Sequence, residues 1–103
     1  MIKVSILYTN KEGSNFDHDY YRVSHMPMVK EKLGSALLES SIDKGIAGGA
    51  PGVPAPFICV GYLNFDSVEA FQQAFGANAE EIMADIPNYT DIEPIIQISE
   101  IVQ

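Results

Sequence analysis

Residues 57–65, with the sequence FICVGYLNF, form the strongest strand signal in the chain. Successive side chains point to opposite faces of a strand, yet both parities of this segment are largely apolar. A strand of an antiparallel sheet with one solvated face would carry polar residues on one parity. Both faces are therefore expected to be covered. Helices of the same chain can cover one face, and a second copy of the chain is the simplest cover for the other. We therefore expect a homodimer formed through the sheet face.

The first half of the chain predicts a strand, an irregular helix and a second strand. Ile2–Tyr8 alternates as a strand does, and helical spacing begins at Phe16, with Ser14 or Asn15 as the expected N-cap. Pro27 predicts a break or kink near residues 25–26, because proline has no amide hydrogen and its ring crowds the preceding turn. Gly34 is expected to end the helix, and the second strand is expected within residues 36–46.

The second half of the chain repeats this order after a loop rich in glycine and proline over residues 45–56. The strand Phe57–Phe65 is followed by a predicted capping box at Asp66–Glu69, a helix, a short helix from Asn78, and a last strand over Thr90–Val102. The order βαββαβ predicts a single domain over residues 1–103. Its expected fold is an α+β, ferredoxin-like sandwich with an antiparallel sheet and both helical segments on one face.

Charge and cysteine content exclude several classes of partner. The chain has 103 residues, with 6 Lys and Arg against 14 Asp and Glu, which give a net charge of −8. Because phosphate backbones and anionic lipid surfaces would be repelled, we expect no nucleic-acid and no membrane partner. No segment approaches the length of apolar sequence needed to span a bilayer. The single cysteine and the lack of a signal-type leader predict a cytoplasmic protein.

Residues 16–27 are the densest stretch of potential chemistry, since they contain both histidines and the only arginine. His18 and His25 are about 10 Å apart along a helix, which is too far for one metal ion to bridge, and we expect no metal site. His18 is expected to be solvated. His25, two residues before Pro27, could be a general acid or base facing a cavity, with Tyr21 one turn away to contact the imidazole. The residues alone favour a structural role instead, in which His25 satisfies backbone groups that a broken helix leaves free.

Other polar and aromatic residues have a structural explanation beside a functional one. Tyr20, Phe71 and Phe75 have helical spacing and are expected in the core. The polar strand residues could line a cavity under a dimer partner or simply pair across strands; they are Lys3, Ser5, Tyr62, Gln97 and Ser99. Residues 85–90 place a carboxylate, an amide and a phenol before the last strand. They could orient a ligand, but turn hydrogen bonds and packing explain them without one, and the sequence favours that explanation.

These motifs together resemble the EthD family, named for ethyl tert-butyl ether degradation. The resemblance rests on the helix with Tyr20-Tyr21 and His25-x-Pro27, the glycine-rich loop, and the segments 65–71 and 86–90. It implies a dimeric α/β-barrel made of two ferredoxin-like subunits. The wider superfamily includes cofactor-free isomerases, cyclases, decarboxylases and monooxygenases, along with haem-binding relatives, and EthD proteins are linked with ether degradation. By this resemblance, His25 is the candidate acid or base, and Tyr20 and Tyr21 support it.

Two functions follow as hypotheses. The first is a protein that binds a small hydrophobic catabolite, from ether or aromatic and polyketide-like degradation, and transforms it without a cofactor. The second is a non-catalytic accessory protein that sequesters such a molecule for an oxidative degradation system. The fold analogy does not choose between them.

Overall fold

The computed structural model describes residues 1–103 and contains one four-stranded antiparallel sheet. The strands are β1 (Ile2–Thr9), β2 (Glu39–Lys44), β3 (Phe57–Phe65) and β4 (Ile95–Glu100). Their order across the sheet is β2-β3-β1-β4, and every neighbouring pair is antiparallel. This confirms the predicted α+β, ferredoxin-like arrangement. The bounds of β3 agree with the apolar run from which they were predicted.

The first helical segment runs from His18 to Leu33 and changes its hydrogen-bond pattern on the way. It comprises α1 (His18–Tyr20), a π-helical segment (Tyr21–His25) and α2 (Met26–Leu33). The Met26 amide donates to the carbonyl of Tyr21, five residues earlier, and Pro27 takes a place in the first turn of α2. Proline needs no amide partner there. The predicted irregularity is thus a wide turn rather than a break. Gly34, at φ +59°, ends α2 as expected.

The cap predicted at Ser14 or Asn15 is wrong, because the helix begins later. Asp17 is the N-cap, and its Oδ1 accepts from the Tyr20 amide at 3.0 Å. Asn15 is held instead by residues near the last strand: its amide donates to Asp91 Oδ1 at 3.0 Å, and its carbonyl accepts from Thr90 Oγ1 at 2.6 Å. These long-range bonds keep the backbone extended through residue 16.

The second helical segment contains α3 (Val68–Gly76), α4 (Ala79–Ala84) and a 3-10 turn at Ile86–Asn88 after α4. Another 3-10 turn, Gly34–Ala36, lies between α2 and β2. Ser67 caps α3 by accepting from the Ala70 amide at 3.1 Å. The capping box predicted at residues 66–69 is therefore wrong, because Ser67 and not Asp66 occupies the cap and the reciprocal position is an alanine. β4 is shorter than predicted because Thr90 forms only an isolated bridge with Phe16 and the sheet pairing begins at Ile95.

The helices pack on one face of the sheet, where the buried side chains of β1 and β3 form the core. These are Ile2, Val4, Tyr8, Cys59, Leu63 and Phe65. On the opposite face, Ile58, Val60 and Tyr62 are half-buried and Ile95 is 54% exposed. One chain therefore leaves an apolar sheet face without a helical cover. None of the helices is both long and apolar enough to cross a membrane.

Candidate functional site

His25 is the last residue of the π-helical segment, and its side chain lies inside the protein between the helices and the sheet. Only 4% of the residue is exposed. Its Nδ1 lies 2.8 Å from Oδ2 of Asp85, a residue that follows α4 and is 60 positions away in the chain. The imidazole also stacks on the ring of Tyr21, with centroids 5.4 Å apart and planes 16° apart. His25 is thus held by a hydrogen bond to a carboxylate and by an aromatic face.

Asp85 is itself held by two further donors. Its Oδ1 accepts from the hydroxyl of Tyr20 at 2.7 Å and from the side-chain Nδ2 of Asn88 at 2.9 Å. Burial raises the pKa of Asp85, but the hydrogen bonds from Asn88, His25 and Tyr20 outweigh it and hold the pKa below its ordinary value. Asp85 is therefore a carboxylate near neutral pH, and a carboxylate can only accept hydrogen bonds.

The state of His25 follows from that of Asp85. Burial lowers the pKa of His25, and the hydrogen bond and charge of Asp85 only partly offset this effect. The imidazole is then neutral near pH 7. Because Asp85 can only accept, the single ring proton lies on Nδ1, and Nε2 is unprotonated. This is the form of histidine that can take up a proton.

Buried phenols surround the Nε2 side of the ring. The hydroxyl of Tyr89 lies 3.4 Å from Nε2, and it also forms a 2.7 Å hydrogen bond with the hydroxyl of Tyr8. Burial is the largest cause of a raised pKa at Tyr8, Tyr21 and Tyr89, so all three stay protonated. Asp85, His25, Tyr89 and Tyr8 therefore form a continuous series of polar groups through an otherwise apolar interior.

His25 lies in the wall of an internal cavity with a free volume of about 50 Å³. Apolar side chains from the sheet and from α2, α3 and α4 form most of this wall, among them Val29, Leu63, Phe71, Phe75 and Ile82. The polar side chains that face it are those of His25, Tyr8 and Tyr21. Met83 and Ile96 also line the cavity and are each 46% exposed, which places its opening between α4 and β4.

Of the three residues predicted for the site, Tyr20 and His25 bond to Asp85, and Tyr21 stacks on His25. Tyr21 and His25 face the cavity, whereas Tyr20 is only partly buried and reaches Asp85 from a groove on the outer side of the helices. The core position expected for Tyr20 is met only in part: the ring packs against the core from its edge, and its hydroxyl bonds to the partly buried Asp85 carboxylate. Phe71 and Phe75 are half-buried and stack on each other at 5.4 Å.

His18 does not join the site. Its ring packs against Phe16 with centroids 4.8 Å apart, and it is half-buried rather than solvated as expected. Burial and the nearby Lys44 lower its pKa. The structure has no cluster of three or more His, Cys, Asp or Glu side chains that could hold a metal ion.

The polar strand residues considered from the sequence lie on the other face of the sheet from His25. Lys3 pairs with Ser99, and Ser5 lies between Tyr62 and Gln97. The Lys3 ammonium lies 5.1 Å from the centre of the Tyr62 ring, and Gln97 donates to Ser99 at 3.1 Å. Cross-strand and local contacts thus account for them within one chain.

Sequence reasoning missed Asp85, Tyr89 and Tyr8 as members of the site. The turn predicted for residues 85–90 is half of the explanation: Asn88 stabilises it through its bond to Asp85, while Asp85 also binds His25. The signal that would have found the pair is a carboxylate just after a short helix, matched to a buried histidine. No local spacing in the sequence connects the two.

The family follows from comparison with known proteins. The EthD domain model matches residues 13–93, which include the whole histidine-containing helix and the segment from Asp85 to Thr90. The chain belongs to the EthD family. No curated protein matches it. Among solved structures, it is similar to an EthD-like protein from Ralstonia eutropha JMP134, with 48% identity and a TM-score of 0.95 over 99% of this chain and 92% of that one.

More distant structures share the fold. An EthD family protein from Bacillus halodurans C-125 has 22% identity and a TM-score of 0.67, over 99% of both chains. A dimeric ferredoxin-like protein from an uncultured marine organism has 11% identity and a TM-score of 0.60, over 100% of this chain and 96% of that one.

Proposed function

We propose that this EthD-family protein binds a small, largely apolar organic molecule in the cavity and transfers a proton at it with His25, without a cofactor. The observation that carries the proposal is the Asp85–His25 pair at the polar end of an apolar cavity. Apolar walls with a few convergent polar groups are typical of small-molecule sites, and the free volume of about 50 Å³ means that side chains at the opening must move to admit such a molecule. The ether, aromatic or polyketide-like catabolites suggested by the family are the first substrates to test.

Proton transfer by this pair needs only the side chains already present. Nε2 of neutral His25 takes the proton, and the imidazolium that forms keeps its Nδ1 hydrogen bond to Asp85, whose charge stabilises it. Tyr20 and Asn88 keep the carboxylate in place, so they act as positioning residues. The hydroxyl of Tyr89, at 3.4 Å, is the neighbour that must make room for a substrate atom at Nε2.

A non-catalytic binding protein is the second candidate, and one observation favours it. The polar groups around His25 already satisfy one another, and a fully connected buried network also serves to fix a unique core. In that case the molecule is held by the cavity wall, and the histidine only shapes the cavity.

Turnover measurements separate the two candidates. Ethers, aromatic lactones and polyketide-like acids are screened with the wild type, His25→Ala and the matched control His18→Ala, with ligand binding measured in parallel. The proposal expects turnover that His25→Ala abolishes and His18→Ala retains. Equal binding by all three proteins, without any turnover that depends on His25, would leave only the accessory function.

We also propose that two copies pair through the sheet face opposite His25, as expected from β3. The support is the half-buried Ile58 and Val60 and the exposed Ile95 on that face, together with the fold shared with a protein described as dimeric.

We also propose a cytoplasmic location, and the support for it is the state of the single cysteine. The one thiol, Cys59, is free and fully buried, and burial raises its pKa to about 12.

A further inference from the structure

The cavity wall contains no cationic side chain. None of the six lysines and arginines of the chain lines it. Lys32 pairs with Glu81 in the outer groove, and exposed Arg22 lies 3.7 Å from Asp19. Lys3 lies on the other sheet face, above Tyr62. An anion that entered the cavity while His25 is neutral would therefore meet no opposite charge.

The charge nearest to the polar end of the cavity is negative. Asp85 Oδ2 lies 2.8 Å behind the imidazole of His25. The remaining polar groups at this end are the hydroxyls of Tyr8 and Tyr21, which are neutral. A buried carboxylate needs a cation or several donors to replace its hydration, and a second carboxylate close by opposes it further.

The geometry points to an uncharged ligand: the cavity accepts an aryl or alkyl molecule with a neutral oxygen function, such as a ketone, alcohol or ether, and rejects the corresponding carboxylate. This inference rests on the proposed function and adds the substrate class to it. A carboxylic acid would have to enter in its protonated form. At pH 7.5 that form is about a thousandth of the total, given the pKa of an ordinary carboxyl. We therefore expect at least about 100-fold weaker apparent binding of the acid.

Acetophenone and benzoate form a matched pair of probes, because they differ mainly in a methyl group against a charged oxygen. Methyl-labelled methionines provide a local readout by NMR: Met26 and Met83 line the cavity, whereas Met28 lies in the outer groove. At pH 7.5 acetophenone is expected to shift the Met26 and Met83 signals and not that of Met28. Benzoate is expected to leave all three unchanged up to 100-fold higher concentration.

A positive charge placed at the cavity opening tests whether the lack of a cation causes the weak binding of benzoate. Met83→Lys puts a cation at a half-exposed position in the wall, and Met83→Gln is the neutral control of similar length. Met83→Lys is expected to bind benzoate at least tenfold more tightly than Met83→Gln. Equal binding of both probes by the wild type, or no gain with Met83→Lys, would overturn the inference and leave the proposed function intact. Absence of cavity shifts with both probes would overturn the proposed function, and this inference with it.

Discussion

Asp85 determines which nitrogen of His25 carries the proton. The carboxylate receives three hydrogen bonds, from Tyr20, Asn88 and His25, so it stays ionised and accepts from Nδ1. Without that acceptor the imidazole could take either tautomer, and only one leaves Nε2 free as a base. The chemistry of the site is thus defined by His25 and Asp85 together.

Asp85→Asn is expected to impair proton transfer while preserving the shape of the site. The carboxamide keeps the size of the side chain, but it has only one acceptor oxygen for the three donors, and it removes the charge that raises the pKa of His25 and stabilises its imidazolium. We expect turnover to fall about 100-fold or more and the pKa of His25 to fall below its wild-type value. Steady-state kinetics and NMR titration measure the two effects. Asn88→Ala keeps the charge, so an equal loss in that variant would contradict a role for the charge.

At the scale of the elements, the π-helical segment is the feature that brings His25 to the cavity. The wide turn precedes Pro27, and it buries both Tyr21 and His25, four residues apart, as a stacked pair. Helix spacing could predict that these two residues share a face, and proline could predict an irregularity. The type of turn depends on packing against the sheet, which no local pattern describes.

The difference between local sequence patterns and long-range packing also explains which other predictions were right. The bounds of β3 follow from its own composition, because apolar and β-branched residues predict a buried strand directly. The N-cap was misplaced because Asn15 and Phe16 are tied to Thr90 and Asp91, far away in the chain. Asp85 was missed for that reason too: its partner His25 is 60 residues distant. Local signals were sufficient for the elements and insufficient for contacts between them.

Gly61 of β3 leaves room for the ring that stacks on His25. A Cβ added at this position would overlap the hydroxyl of Tyr21 and lie 3.2 Å from the methyl carbon of Met26. Gly61→Ala is therefore expected to destabilise the protein by about 1–3 kcal/mol, as overpacking of a core does. Gly76→Ala is the matched control, since nothing lies within 4 Å of its added Cβ. Urea denaturation measures both, and equal stability of the two variants would contradict a close contact at Gly61.

At the scale of the whole molecule, the buried neutral His25 makes stability depend on pH. Its folded pKa lies below the unfolded value of 6.5, so the unfolded state binds more protons between those two values. This contribution to the free energy of unfolding is fully present above pH 6.5. It is lost as pH falls from 6.5 towards the folded pKa.

Urea titrations at pH 7.5 and 5.5 test this dependence. The wild type is expected to lose stability at the lower pH, and His25→Gln is expected to lose less because it cannot take up the proton. His18→Gln removes only the smaller contribution of a half-exposed histidine, whose pKa is also lowered. An equal pH dependence in the wild type and His25→Gln would show that His25 is not buried in its neutral form.

The uncovered sheet face predicts the assembly. We expect the wild type to sediment as a dimer at micromolar concentration, and Val60→Glu to give a monomer because it places a charge in the apolar face. Val23→Glu is the control, on a helix position that is 59% exposed and far from that face. A monomeric wild type, or dissociation by both variants, would contradict pairing through the sheet.

The protonation of the His25 ring is the most direct test of the account, because binding of a neutral ligand and proton transfer both depend on it. Nitrogen NMR of the labelled imidazole at pH 8 distinguishes the two tautomers, with His18 as an internal reference. We predict a neutral ring with its proton on Nδ1, towards Asp85, and an unprotonated Nε2. A proton on Nε2, or an imidazolium at this pH, would contradict it.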